Sequence, residues 1–118
     1  MAMNQEQLKL ENKRGLRFPF EAEAEVVVQG ASNGVPARVT ELSFRGCFLE
    51  TSAPLQQQQR VHVKIFHSDQ YFEALANVIY VRPTGVGLLF GDIQPHFRAI
   101  LQAWILSALD NQEKSKRP

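Results

Sequence analysis

With 118 residues the chain is long enough for one domain with its own core and too short for two ordinary ones. Its 44% hydrophobic and 21% charged residues exclude a disordered chain. A formal net charge of +1 leaves no global field to draw in nucleic acid or an anionic membrane, so any anion site must be local.

Cys47 is the single cysteine, so neither an intramolecular disulfide nor a thiolate metal cluster is available. The polar N-terminus lacks a signal-peptide run, and no stretch approaches the roughly 20 apolar residues of a membrane span. These features point to the cytoplasm. Residues 1–12, rich in Gln, Asn, Glu and Lys, are expected to form a flexible tail. Lys13, Arg14 and Arg17 then place three cations within five residues, directly ahead of Phe18-Pro19-Phe20. Pro19 stops a helix and biases Phe18 towards an extended conformation. Gly15 permits a tight turn, so that Lys13 and Arg17 can face a common object.

From Phe20 to Val28 apolar and polar residues alternate strictly, which predicts a strand with one wet face carrying Glu21, Glu23 and Glu25. The turn residues Gly30 to Gly34 return the chain into a second strand over 35–42. At its end stand Glu41, Ser43 and Gly46: a carboxylate, a hydroxyl and a glycine, spaced as an approach point. Cys47 to Thr51 reads as a third strand, and a loop with four glutamines, Gln56 to Gln59, comes next. Val61 to Phe66 and Tyr71 to Val81 form a second hairpin, and Val86 to Phe90 a sixth strand. Beyond it the period becomes helical: Phe97, Ile100, Leu101, Trp104, Ile105 and Ala108 share one stripe, with Pro95 suited to the first turn. The domain is expected over 13–111, with a barrel at about 20–91, a helix at about 95–110 and a second flexible tail over 112–118. Whether the Trp104 stripe covers the barrel, meets a partner or pairs two copies as a homodimer is open at this level.

Nothing in the chain has the spacing of an active site. His62, His67 and His96 lack the i,i+4 relation of a helical metal motif, no glycine-rich phosphate loop joins a strand to a helix, and Cys47 reads as a small buried hydrophobe. No catalysis, metal or cofactor is assigned. A small barrel binding single-stranded nucleic acid is disfavoured by the near-neutral charge and the acidic strand face.

The basic arm and the Glu41 segment together resemble the PilZ domain family over nearly the whole chain. In that family an RxxxR motif just before the first strand cooperates with a [D/N]xSxxG motif at the end of the second. Lys13 and Arg17 stand at the RxxxR positions with Arg14 adjacent, and Glu41, Ser43 and Gly46 stand at the second motif. Gly85 to Phe90 looks like the family's last barrel strand, and the helix from Pro95 like its C-terminal helix. The resemblance implies a mainly β fold, a six-stranded antiparallel barrel with a C-terminal α-helix. It also implies a bacterial receptor that binds cyclic di-GMP through Lys13, Arg14, Arg17, Glu41, Ser43 and Gly46 and signals to a protein partner.

Two departures from the family pattern bear on the ligand. Arginine can bond a phosphate through two donors or stack on a base, whereas Lys13 meets a phosphate only as a point charge. Glu41 keeps the carboxylate that would accept from a guanine edge but moves it outwards by a methylene. Misplacing such a contact costs on the order of 1–3 kcal/mol, a factor of roughly 5 to 150 in affinity. The alternative reading is a PilZ-like module that does not bind cyclic di-GMP and works by protein contact alone.

Overall fold

Alternation in the first strand, β1 (Phe18–Val28), carries through into the structure: Phe18, Phe20, Ala22, Ala24 and Val26 are buried, while Glu21, Glu23 and Glu25 face solvent. The computed structural model describes residues 17–115. Lys13, Arg14 and the expected tail over 1–12 lie outside the described residues.

Five further strands come after it: β2 (Val35–Leu42), β3 (Gly46–Glu50), β4 (Arg60–His67), β5 (Gln70–Arg82) and β6 (Gly85–Phe90), then one helix, α1 (Pro95–Ser115). The strands close into a barrel in the order β1-β2-β3-β6-β5-β4, every neighbouring pair antiparallel. Closure leaves no long unpaired edge, which is how six short strands avoid templating aggregation. The expected barrel and C-terminal helix are therefore both present. Val39, Leu49, Val61, Val63, Ile65, Phe72, Val78 and Leu88 are fully buried inside it. Each such side chain contributes about 1.5–3 kcal/mol through burial.

The register is irregular at three places. Residues Pro19 to Ala22 of β1, Val39 to Glu41 of β2 and Val78 to Tyr80 of β5 each carry one residue more than the strand opposite. Such bulges bend the strand and re-aim the side chains beside them. The four glutamines are not a free loop: Gln58 N donates to Val78 O at 2.7 Å, Val78 N to Gln59 O at 2.9 Å, and Gln57 Nε2 to Ile79 O at 3.1 Å. That segment clamps the β5 bulge.

The helix covers β1 and β5. Phe97, Ile100, Leu101, Trp104 and Ile105 are buried as expected, Ala108 is half-buried, and Leu109 joins the buried set. Trp104 stacks on Phe20 (5.6 Å, 27°) and meets His67 edge-on, while Phe97 packs against Phe72. The aromatic stripe therefore belongs to the core of the chain. The helix runs on to Ser115 instead of ending near 110, so residues 112–115 of the expected tail are helical. No glycine or proline interrupts Asn111 to Ser115, and residues such as Gln, Glu and Lys sustain a helix.

Candidate functional site

Arg17 stands immediately before β1, anchored by the buried Phe18. Its neighbour in the sheet is reached through the pairing of Pro19 with Glu41. The bulge in β2 lets both Val39 and Leu42 face the core while Glu41 points outwards. Arg17 Nη1 consequently lies 3.9 Å from Glu41 Oε1, an ion pair too long for a hydrogen bond. That nitrogen is buried and has no hydrogen-bond partner among the described residues. A guanidinium donor left open in this way is unusual, because buried polar groups are ordinarily satisfied.

Ser43 and Gly46 serve the turn beneath. The Ser43 hydroxyl accepts from the backbone N–H groups of Arg45 (3.2 Å) and Gly46 (3.1 Å) and lies 3.2 Å from Gly46 O as a donor. Its donor and both acceptor sites are thereby used, and the residue is only 5% exposed. At Gly46 an added Cβ would run into the backbone carbonyl of Leu88, so the missing side chain lets β3 and β6 approach. Of the residues the sequence singles out, Arg17 and Glu41 are brought together at the surface. Ser43 and Gly46 hold the turn that positions them.

Sequence reasoning missed a neighbouring group. Across the barrel wall Pro19 pairs with Glu41, Glu41 with Phe48, Phe48 with Gly87, and Gly87 with Tyr80, a transverse row spanning β1, β2, β3, β6 and β5. Gly87 leaves a gap that the Tyr80 ring fills, and Phe48 lies 6.2 Å from that ring at an interplanar angle of 23°. Two guanidinium groups sit over Tyr80, Arg17 at 5.4 Å and Arg82 at 4.6 Å from the ring centroid. The only sequence signal was the pairing of an aromatic at Tyr80 with a glycine at Gly87, and the bulge that puts them opposite cannot be read from periodicity. The face as a whole offers two guanidinium groups, one carboxylate and an aromatic surface. Chemically it suits a flat anion.

Comparison with known proteins fits this architecture. The PilZ domain family model matches residues 11–107, from the basic arm into the helix. The chain belongs to the PilZ domain family. Among solved structures, the PilZ domain of CeSA from a cellulose-synthesizing bacterium superposes with a TM-score of 0.64 at 17% identity, covering 80% of this chain and 97% of that one. The Bacillus subtilis inhibitor of motility MotI/DgrA superposes with a TM-score of 0.67 at 13% identity over 86% of this chain. The match takes in 51% of the MotI/DgrA chain, about half its length. At these identities the likeness is one of fold. No curated protein matches the sequence significantly.

Elsewhere in this PilZ domain, Cys47 lies in the barrel core. Burial pushes the Cys47 thiol up to about 12, against the opposing pull of the Arg17 charge, so it stays protonated at neutral pH. His62 pairs with Glu73 at 3.3 Å on the outer wall. Among the described residues no group of His, Cys, Asp and Glu could hold a metal ion, and no helix is long and apolar enough to cross a membrane. A groove of about 310 Å³ lined by Arg60, Leu75, Ala76, Asn77, Gly91 and Asp92 lies further along β5 and shares no residue with the Arg17 face.

Proposed function

We propose that this PilZ domain is a receptor for cyclic di-GMP that signals to a protein partner. The observation that carries the reading is Arg17, which meets Glu41 at the barrel wall with one buried guanidinium nitrogen that has no hydrogen-bond partner among the described residues. A cyclic dinucleotide has two anionic phosphates and two flat bases. A guanidinium serves either part, by paired donors to phosphate or by stacking. Arg17 bonds a phosphate, Glu41 accepts from a guanine edge, and Lys13 and Arg14 add charge from the arm. Membership of a family of binding modules supports this reading. Ligand binding changes the conformation of the arm against the barrel, and the new surface is what a partner reads; pairing arginine with phosphate is a recurring switching device. One similar structure is an inhibitor of motility and the other comes from a cellulose-synthesizing bacterium, so the output is proposed only as protein contact.

A second reading is favoured by Ser43, whose hydroxyl is fully used inside the turn, and by Glu41, whose carboxylate already faces Arg17. Under that reading the domain works by protein contact without the nucleotide.

Isothermal titration with cyclic di-GMP, with GTP and linear pGpG as competitors, separates the two. Receptor function gives saturable binding that the competitors do not abolish and that Arg17→Ala weakens by about 1.5–3 kcal/mol, roughly 10- to 150-fold. Absence of heat at high ligand concentration would rule out the receptor and leave the protein-contact module.

A further inference from the structure

The row of residues facing out from β1 to β5 does not stop at the Glu41 turn. It ends on Tyr80, whose ring is packed into the gap at Gly87, flanked by Phe48 and overlain by two guanidinium groups. Arg17 belongs to both ends: it pairs with Glu41 and lies over Tyr80. The β2 bulge at one end turns Glu41 outwards, and the β5 bulge at the other sets Tyr80 opposite Gly87. The second bulge is held by two features the barrel alone does not require, the Gln57 bond to Ile79 O and the Gln58 bond to Val78 O. Bulges cluster where a strand must re-aim a side chain at a site.

We infer that Tyr80 and Arg82 are ligand-binding residues of the same face, Tyr80 as the surface on which one base of the dinucleotide stacks and Arg82 as a second phosphate-binding cation. The inference rests on the cyclic di-GMP reading and extends it by two residues. A tyrosine ring stacks on any base through its π-face. A guanidinium lying over the ring is in cation–π contact that a base replaces at little loss, because the freed guanidinium then meets the phosphate attached to that base. Arg82 enters from the end of β5, on the far side of Tyr80 from the arm in the chain, so the ligand is gripped by the folded wall as well as by the N-terminal segment. The missing side chain at Gly87 gives the Tyr80 ring its place on the wall, and the Phe48 ring lies beside it.

The test titrates cyclic di-GMP into the unaltered chain and into Tyr80→Ala, Tyr80→Phe, Arg82→Ala and Arg17→Ala, with thermal melting as the check of folding. Tyr80→Ala and Arg82→Ala are expected to bind about tenfold or more weakly, and Tyr80→Phe within about twofold of the unaltered chain. Base stacking is also expected to shift the ring carbon resonances of Tyr80 on ligand addition and to leave those of Tyr71 unchanged, a readout that does not depend on any variant folding. If Arg17→Ala loses binding while Tyr80→Ala and Arg82→Ala keep it and the Tyr80 resonances stand still, this inference is overturned and the receptor reading stands. If the unaltered chain does not bind, both fall.

Discussion

At Cys47 the burial that builds the core also sets the chemistry. Its thiol lies wholly inside the barrel, and desolvation raises it from an ordinary value of 9.0 to about 12. In the unfolded chain the same thiol ionises near 9, so between about pH 9 and 12 the unfolded state holds fewer protons than the folded one. Stability from this group is therefore complete below about pH 9 and is lost as pH rises towards about 12. Melting temperatures measured from about pH 8 to about pH 11 are expected to fall more steeply for the unaltered chain than for Cys47→Ala. Parallel curves would contradict the buried, protonated thiol. Arg17 is the contrasting residue, a half-buried charge held beside Glu41 and over the Tyr80 ring. The basic arm was visible in the sequence through its charge, whereas the partners of Arg17 were not. They lie in β2 and β5, far along the chain, and only the closed barrel unites them.

Among the elements, the approach of β3 to β6 is the most demanding. Gly46 and Gly85 each place a bare Cα against a carbonyl of the opposing strand, Leu88 and Leu49 respectively. Gly46→Ala would force the strands apart at a cost of about 1–3 kcal/mol or more, which lowers the melting temperature by about 10 °C. Affinity of the folded fraction for cyclic di-GMP is expected to change far less than stability. An unchanged melting temperature with binding lost would instead make Gly46 a contact of the ligand. At this scale the sequence was most informative. Alternation in β1 and the stripe from Phe97 to Ile105 report side-chain burial directly, because a strand and a helix repeat their faces at fixed periods. The bulges at Thr40 and Ile79 left no such mark. An extra residue in one strand is defined only by the strand beside it, so the outward aim of Glu41 and Tyr80 could not be read along the chain. The end of the helix was likewise set too early, since a polar run from Asn111 onwards looks the same whether it is coil or a solvated helix.

Taken whole, the molecule separates support from display. The helix and the β1–β5 side of the barrel share one aromatic core through Phe20, Trp104, Phe72 and Phe97. The wall that carries Arg17, Glu41, Phe48, Tyr80 and Arg82 has its own anchors, the Ser43 turn and the Gln56–Gln59 clamp. On the proposed reading, a ligand bound to that wall leaves the aromatic core under the helix undisturbed. Two-dimensional amide spectra recorded as cyclic di-GMP is added to uniformly labelled protein test this most directly. Saturable shifts are expected at Arg17, Glu41, Phe48, Gly87 and Tyr80 and in the arm from Lys13, with the amides of α1 from Ala99 to Asp110 unmoved. Spectra that do not change, or shifts confined to the Arg60–Asp92 groove, would contradict a receptor built on the Arg17 face.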